Sequence, residues 1–167
     1  TKRTEDGSFG EGPTGTFLKT YTTALCLVAF SSVERTDKVA DAIRGAQAYL
    51  KNNQLKEGPH EGALTYGDAP KDPAKMRGDL SVTGFAAEGL KLSGLPQDDE
   101  FWKLVAMQDS AGAWKMGPEG KQTPSPSSTA LIVASLAGAP EPLRSKFKEP
   151  AAKGLAYILS KRNDDGS

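Results

Sequence analysis

Thr83-Gly84-Phe85-Ala86-Ala87-Glu88-Gly89-Leu90 recurs at two other places in the chain, as Thr23-Ala24-Leu25-Cys26-Leu27-Val28-Ala29-Phe30 and as Thr129-Ala130-Leu131-Ile132-Val133-Ala134-Ser135-Leu136. The three copies share a threonine with a small residue one and six places after it, and a large apolar residue two and seven places after it. Small residues leave room for a neighbouring backbone, so we expect another helix to approach closely there. Each copy is apolar on nearly every side, which predicts a helix buried all round.

A second element recurs between these copies: Arg44-Gly45-Ala46-Gln47-Ala48-Tyr49-Leu50 is echoed by Lys153-Gly154-Leu155-Ala156-Tyr157-Ile158. The segment from Thr36 to Asn52 carries one apolar stripe, formed by Val39, Ile43, Ala46 and Leu50. This pattern predicts an amphipathic helix with one buried face. Buried helices that alternate with one-sided helices predict an inner and an outer layer.

The starts of two further outer helices are predicted from local signals. Pro150 is favoured at the first helical position, so we expect the third outer helix to begin there. Asp98, Asp99 and Glu100 suit the first turn of the second outer helix, where negative charge meets the helix dipole.

Glycine turns separate the helix pairs, at Asp6-Gly7-Ser8-Phe9, Gly62, Gly112-Ala113-Trp114 and Asp165-Gly166-Ser167. They lie roughly 50 to 55 residues apart, a period that suits one helix pair with its loops. We therefore predict a single all-α domain or toroid segment of three αα-hairpin repeats, at about residues 8–60, 61–113 and 114–167. Three Gly/Pro-rich pieces between them are predicted as loops: Gly10–Gly15, Ala69–Arg77 and Gly117–Pro126.

Two strings resemble the QW motif of squalene and oxidosqualene cyclases: Arg44-Gly45 followed by Tyr49-Leu50 and Gln54, and the run Gln108-Asp109-Ser110-Ala111-Gly112-Ala113-Trp114. In that family the glutamine and tryptophan tie the end of an outer helix to the next hairpin. The resemblance implies this structural role for Gln54, Gln108, Gly112 and Trp114. No single copy has the whole motif, and the third has Lys161-Arg162-Asn163 where glutamine belongs.

The chain is also similar to the prenyltransferase/squalene-cyclase-type repeats of bacterial, notably planctomycete, proteins, above all over Leu80–Trp102. The resemblance implies about half of an (α/α) toroid, since closed members of the fold carry about six hairpins. The two chain ends fall in the same motif, with Lys2–Ser8 echoed by Lys161–Ser167. Three stacked repeats would leave apolar edges, which we expect further chain, a second copy or a partner to cover.

The catalytic motifs of related enzymes are missing from the sequence. The strings closest to a cyclase acid motif, Gln97–Glu100 and Asn163–Gly166, sit beside turns, where capping explains them. Zinc is not expected, because Cys26 lies among apolar residues and His60 has no neighbouring ligand at a zinc spacing. A nucleophile elbow and a thioester string are absent too. We therefore predict no catalytic residue, no metal and no cofactor.

Three residues on the inner helices are candidates for lining a lumen: Tyr21, Phe85 and Glu88. Glu88 is a possible acid if it faces an apolar lumen, but contact with water where the ring is incomplete is the preferred interpretation. The loop charges Asp68, Asp72, Lys75, Arg77 and Asp79 could instead belong to a polysaccharide lyase, although a solvated loop is the simpler explanation.

Composition limits the partners further. Lys+Arg and Asp+Glu balance at 21 each, which gives no electrostatic reason to expect nucleic acid. The longest apolar stretch, Ala24 to Phe30, is far short of the ~20 residues of a membrane span. The single cysteine excludes an internal disulfide and leaves the compartment open between bacterial cytoplasm and periplasm.

The sequence therefore favours a non-catalytic repeat module that binds a partner, as a homodimer or beside further repeats, or that forms part of a larger toroid. The first alternative is an isoprenoid-acting enzyme of the terpenoid-cyclase/prenyltransferase type whose catalytic residues lie elsewhere, so an isoprenoid ligand is possible. A content of 7% aromatic residues is low for a cavity that stabilises carbocations. A polysaccharide lyase is the weaker alternative.

Overall fold

The computed structural model describes residues 3–10, 18–58, 60–69, 71–72, 77–95, 103, 105, 107–116 and 123–163. The helices are α1 (Lys19–Phe30), α2 (Asp37–Asn53), α3 (Leu80–Leu92), α4 (Pro126–Ala137), α5 (Leu143–Lys146) and α6 (Lys148–Leu159). The predicted all-α class is therefore confirmed. One short antiparallel pair, β1 (Lys115–Met116) with β2 (Thr123–Pro124), joins the two ends of a stretch that was predicted as a plain loop.

The helices are arranged in two layers. Helices α1, α3 and α4 form an inner row in which α3 packs against both of its neighbours. Helix α2 packs against α1, and α6 packs against α4. The stretch predicted as the second outer helix, with Asp98, Asp99 and Glu100, lies outside the described residues apart from positions 103, 105 and 107.

Three helices begin at a side-chain cap. Thr36, Asp79 and Ser125 each accept a hydrogen bond from the backbone N–H three residues later. Such caps satisfy a donor that the first turn of a helix leaves without an intrahelical partner. Helix α6 begins at Lys148, so the prediction that it starts at Pro150 is wrong by two residues. Proline is tolerated at both places, because the N–H groups of a first turn have no partner within the helix.

Only the middle helix of the inner row is buried nearly all round. Eight of the 13 residues of α3 are buried, against four of 12 in α1 and five of 12 in α4. The prediction of all-round burial is therefore wrong for α1 and α4. Among the helices that the structure describes, each of these two has an inner-row neighbour on one side only, and Leu25 and Ala134 are exposed.

Small residues set the spacing within the inner row, as the sequence predicted. A Cβ atom added at Gly89 would lie 3.1 Å from the carbonyl oxygen of Ala24 on α1. A Cβ atom added at Gly84 would lie 3.1 Å from the Cβ of Leu131 on α4. Contacts this close leave almost no free space in a packed interior, so larger residues at these two positions would push the helices apart.

Candidate functional site

The three glycine turns among the described residues are each fixed to the inner helix that follows by the same pair of hydrogen bonds. A backbone N–H of the turn donates to a buried threonine hydroxyl, which itself donates to the carbonyl four residues before it at 2.6 or 2.7 Å. The N–H to hydroxyl pairs are Phe9 with Thr23, Leu64 with Thr83, and Trp114 with Thr129, at 2.8, 2.9 and 3.1 Å. All three threonine side chains are fully buried. The recurring threonines therefore hold the three repeats in one register.

The turns themselves share one backbone conformation. Gly7, Gly62 and Gly112 have φ angles of 88°, 87° and 88°, a region that glycine adopts more readily than other residues. Gly7 lies on the backbone of Gly45 in α2. Gly112 lies on α6 in the same way, where an added Cβ atom would stand 2.5 Å from the carbonyl oxygen of Lys153.

This contact corrects the alignment of the two outer helices by one residue. Gly45 and Lys153 occupy equivalent places beneath a turn glycine, so Gly154 corresponds to Ala46 rather than to Gly45. Gly154 faces inward, and a Cβ atom added there would lie 3.0 Å from the ring of the fully buried Trp114. The same Cβ atom would lie 2.6 Å from the Cγ2 of Val133 on α4, so the glycine in α6 is explained by the bulk of both Val133 and Trp114.

Two glutamines connect the turns to the helices. The side-chain amide of Gln54 donates to the carbonyl of Gly62, and that of Gln108 donates to the carbonyl of Gly112, both at 3.0 Å. The Gln108 amide also donates to the carbonyl of Pro150 in α6 at 2.8 Å. Gln108 thus joins a turn to the outer helix that follows it, which is the kind of contact that the resemblance to QW repeats implies.

The three candidates for a lumen do not form one polar site. The rings of Tyr21 and Phe85 pack edge to face with their centroids 5.7 Å apart, and the ring centroid of Tyr66 lies 6.0 Å from that of Tyr21. Burial raises the pKa of the Tyr66 hydroxyl. Glu88 is half-exposed, and its carboxylate lies 2.8 Å from the Nζ of Lys91 on the same helix. This geometry is that of a solvated ion pair, and a ligand-binding role for these residues stays a prediction.

The two residues weighed as zinc ligands have other surroundings. His60 is buried, and its Nδ1 lies 3.1 Å from the backbone nitrogen and 3.2 Å from the carbonyl oxygen of Gly78. Cys26 is half-buried beside the core, and burial raises the pKa of its thiol. Over the described stretches of the chain, no group of three or more His, Cys, Asp or Glu side chains is arranged to hold a metal ion.

Asp79, one of the charges considered for a lyase, has a structural role. Asp79 caps α3, and Lys75 lies outside the described residues. Asp68 belongs to a polar cluster that the sequence did not reveal.

None of the helices that the structure describes is both long enough and apolar enough to span a bilayer.

The polar cluster consists of Asp6, Lys19, Thr20, Tyr49 and Asp68. The Nζ of Lys19 pairs with Asp6 and lies 3.3 Å from the carboxylate of Asp68. The Tyr49 hydroxyl donates to Asp68 at 2.9 Å and lies 3.1 Å from the hydroxyl of Thr20. The cluster connects the first turn, α1, α2 and the loop before α3.

The electrostatics of this cluster indicate a structural role. Partial burial opposes ionisation of Asp6, but hydrogen bonds from Lys19, Thr4 and Ser8 hold the pKa of its carboxyl well below the usual range. Burial, together with the neighbouring Asp68, raises the pKa of Tyr49 well above its usual value. Near neutral pH the aspartate therefore stays charged and the tyrosine neutral, which suits a fixed contact between segments better than proton transfer.

In the first outer helix, one flank makes a contact with the following repeat. Ile43 and Leu50 on this flank of α2 are buried. Gln47, between them, donates from its side-chain amide to the hydroxyl of Ser93, at 2.8 Å. Ser93 is buried and forms the C-terminal cap of α3 in the next repeat. The hydrogen bond from Gln47 to Ser93 is thus a contact between repeats on this flank.

The same flank of the last outer helix is open. Counted from the equivalence of Gly45 with Lys153, the residues Ile43, Gln47, Leu50 and Lys51 of this flank correspond to Ala151, Leu155, Ile158 and Leu159 of α6. Ala151 and Ile158 are half-buried, and Leu155 and Leu159 are 49% and 61% exposed. Apolar side chains therefore face water at the positions where α2 carries Gln47, which contacts the next repeat, and the half-buried Lys51.

Comparison with known proteins adds no neighbour: no protein-family model, no curated protein and no solved structure matches this chain. The functional assignment therefore depends on the repeat geometry and on the open flank of α6.

Proposed function

We propose that this chain is a non-catalytic αα-hairpin repeat module of the squalene-cyclase/prenyltransferase-like type, whose function is to bind further hairpins edge to edge within a larger toroid. The observation that carries this proposal is the exposure of Leu155 and Leu159 on α6. Their counterparts in α2, Gln47 and Lys51, are half-buried.

The energetic argument follows from exposed apolar area. Full burial of a leucine side chain stabilises a protein by about 1.5–3 kcal/mol relative to full exposure. Leu155 and Leu159 are each roughly half-exposed, so covering both with another hairpin would contribute on the order of 2 kcal/mol. A terminal repeat that is meant to face water normally carries a polar outer surface instead.

The contacts of the ionisable groups support a module without its own chemistry. Glu88 forms an ion pair with Lys91, and the ring of His60 is held against the backbone of Gly78. Tyr49 is hydrogen-bonded to Asp68. Each of these groups has a partner within the protein that explains its position.

The proposal is tested by adding a fourth hairpin. Gly166-Ser167 repeats the Gly7-Ser8 of the first turn, so a chain in which residue 167 is followed directly by residues 9–58 continues the repeat in register. We expect the added hairpin to cover α6 and to raise the free energy of unfolding by about 2 kcal/mol in urea titrations.

Two variants serve as controls for the added hairpin. Leu155→Glu with Leu159→Glu should abolish the gain, because charged side chains would replace the apolar contact. Leu92→Glu should keep it, since Leu92 is 47% exposed but lies on α3 in the middle repeat. An added hairpin that folds yet leaves the stability of the original chain unchanged would contradict the proposal.

A further inference from the structure

The two contacts between adjacent inner helices share one feature: the preceding helix contributes the residue directly after its threonine. The position contacted on the following helix differs, since it stands six places after the threonine in one case and two places after it in the other. Between α1 and α3, Ala24 contacts Gly89, six places after Thr83. Between α3 and α4, Gly84 contacts Leu131, two places after Thr129.

At the two ends of the inner row, the positions that take part in these contacts have no neighbouring helix among the described residues. On α1, Leu25 and Ala29 stand two and six places after Thr23, and both are exposed, Leu25 at 38%. On α4, Ala130 directly follows Thr129 and is exposed as well. The positions that contact a preceding helix are therefore exposed on α1, at one end of the row. The position that contacts a following helix is exposed on α4, at the other end.

Both ends also lack the charges that usually mark a water-facing helix surface. Helix α4 contains no charged residue, although Ala130, Ala134 and Ala137 are exposed. The only charged residue of α1 is Lys19, which pairs with Asp6. Apart from Lys19, the inner helices at the two ends therefore bring no charged side chain into the contact.

We propose that a second copy of this chain binds the first one head to tail. The N-terminal edge, defined as Leu25 and Ala29 on α1, would pack on the C-terminal edge of the other copy, defined as Ala130 on α4 with Leu155 and Leu159 on α6. The inner row would then continue across two molecules with the spacing found inside each one. This inference rests on the proposed function and names its partner as another copy.

The interface is heterologous, because two different surfaces meet in it. If the rotation between two copies also brings the free N-terminal edge of one copy onto the free C-terminal edge of the other, the two copies form a closed ring. If it does not, the same contact produces longer oligomers. In both cases an intact N-terminal edge on one copy must meet an intact C-terminal edge on the other.

Light scattering of the full chain across micromolar and submillimolar concentrations tests the inference, with one variant for each edge. The wild-type mass should rise to that of a dimer or a larger oligomer. Leu25→Glu with Ala29→Glu disables the N-terminal edge, and Leu155→Glu with Leu159→Glu disables the C-terminal edge. Each variant alone should associate at least about tenfold more weakly than the wild type. An equimolar mixture of the two should form a complex of one copy of each.

The mixture distinguishes a head-to-tail contact from other modes of association. Two copies of either variant lack one half of the interface, whereas the mixed pair retains one complete interface. Leu92→Glu is the matched control and should associate like the wild type. Far-UV circular dichroism checks that each variant is folded, and Leu25→Gln is a milder substitution should the N-terminal edge variant unfold.

A wild-type chain that stays monomeric throughout, or a mixture that fails to associate, would overturn the inference. If the chain extended by a fourth hairpin is nevertheless stabilised, the proposed stacking function stands and only self-association is excluded. If the extended chain also gains nothing, the proposed function fails independently.

Discussion

Replacing Thr83 with valine tests the hydrogen bond that sets the register of the repeats. Valine keeps the branched shape of threonine but removes the hydroxyl, so the backbone N–H of Leu64, now 2.9 Å from that hydroxyl, loses its acceptor. The other partner, the carbonyl of Asp79, still accepts from the backbone N–H of residue 83 at 2.9 Å. One buried donor is thus left unsatisfied. We expect the free energy of unfolding to fall by about 1–3 kcal/mol.

Thr83→Ser is the matched control, because serine keeps the hydroxyl and loses one methyl group. Its cost should be about 1 kcal/mol, the transfer free energy of one small apolar group. Urea unfolding followed by circular dichroism gives both values, with an unchanged denaturant slope showing that stability alone has changed. Hydrogen exchange at Leu64 should accelerate in the valine variant. If valine were tolerated as well as threonine, the recurring threonines would be packing groups only, and the reasoning would be refuted.

Three further outcomes are expected. Gly112→Ala should destabilise the protein more than Gly94→Ala in thermal unfolding. Both glycines have positive φ, but a Cβ atom at residue 112 would lie 2.5 Å from the carbonyl oxygen of Lys153, whereas residue 94 has open space around it. Equal losses of stability in the two variants would count against the contact. Gln108→Ala should cost about 1–2 kcal/mol in urea titrations by removing the link to α6, and no loss would mean that this link is dispensable. The pKa of Asp6 is lowered in the folded state, so its contribution to the free energy of unfolding is present above the unfolded-state pKa of about 3.9 and is lost as the pH falls through the folded-state pKa. The Asp6→Asn variant should therefore lose less stability on acidification, as measured by unfolding at a series of pH values.

The helices of the first and third pairs and the close contacts at small residues of the inner helices followed from the sequence, because apolar periodicity and small residues act locally. The role of the threonine hydroxyl did not, since its donor lies in a turn 14, 19 or 15 residues earlier. A signal was present in the sequence. The residue whose N–H donates to the threonine stands two places after the turn glycine in all three repeats: Phe9 after Gly7, Leu64 after Gly62 and Trp114 after Gly112. The cluster around Lys19 had no such signal, because Asp6 and Asp68 are separated along the chain and meet only in the folded protein.

Periodicity also could not distinguish the middle of the inner row from its ends. Helices α1, α3 and α4 share one pattern, yet only α3 is buried nearly all round. The apolar pattern of α1 and α4 is thus that of a helix packed between two inner helices, although each of them packs against α3 alone in the inner row that the structure describes. In stacked repeats, exposed ends normally differ from internal repeats by carrying polar residues. Helix α4, with no charge, and α6, with Leu155 and Leu159 exposed, lack this difference. Their composition is explained if the surfaces at the ends are interfaces of the same kind as those inside the chain.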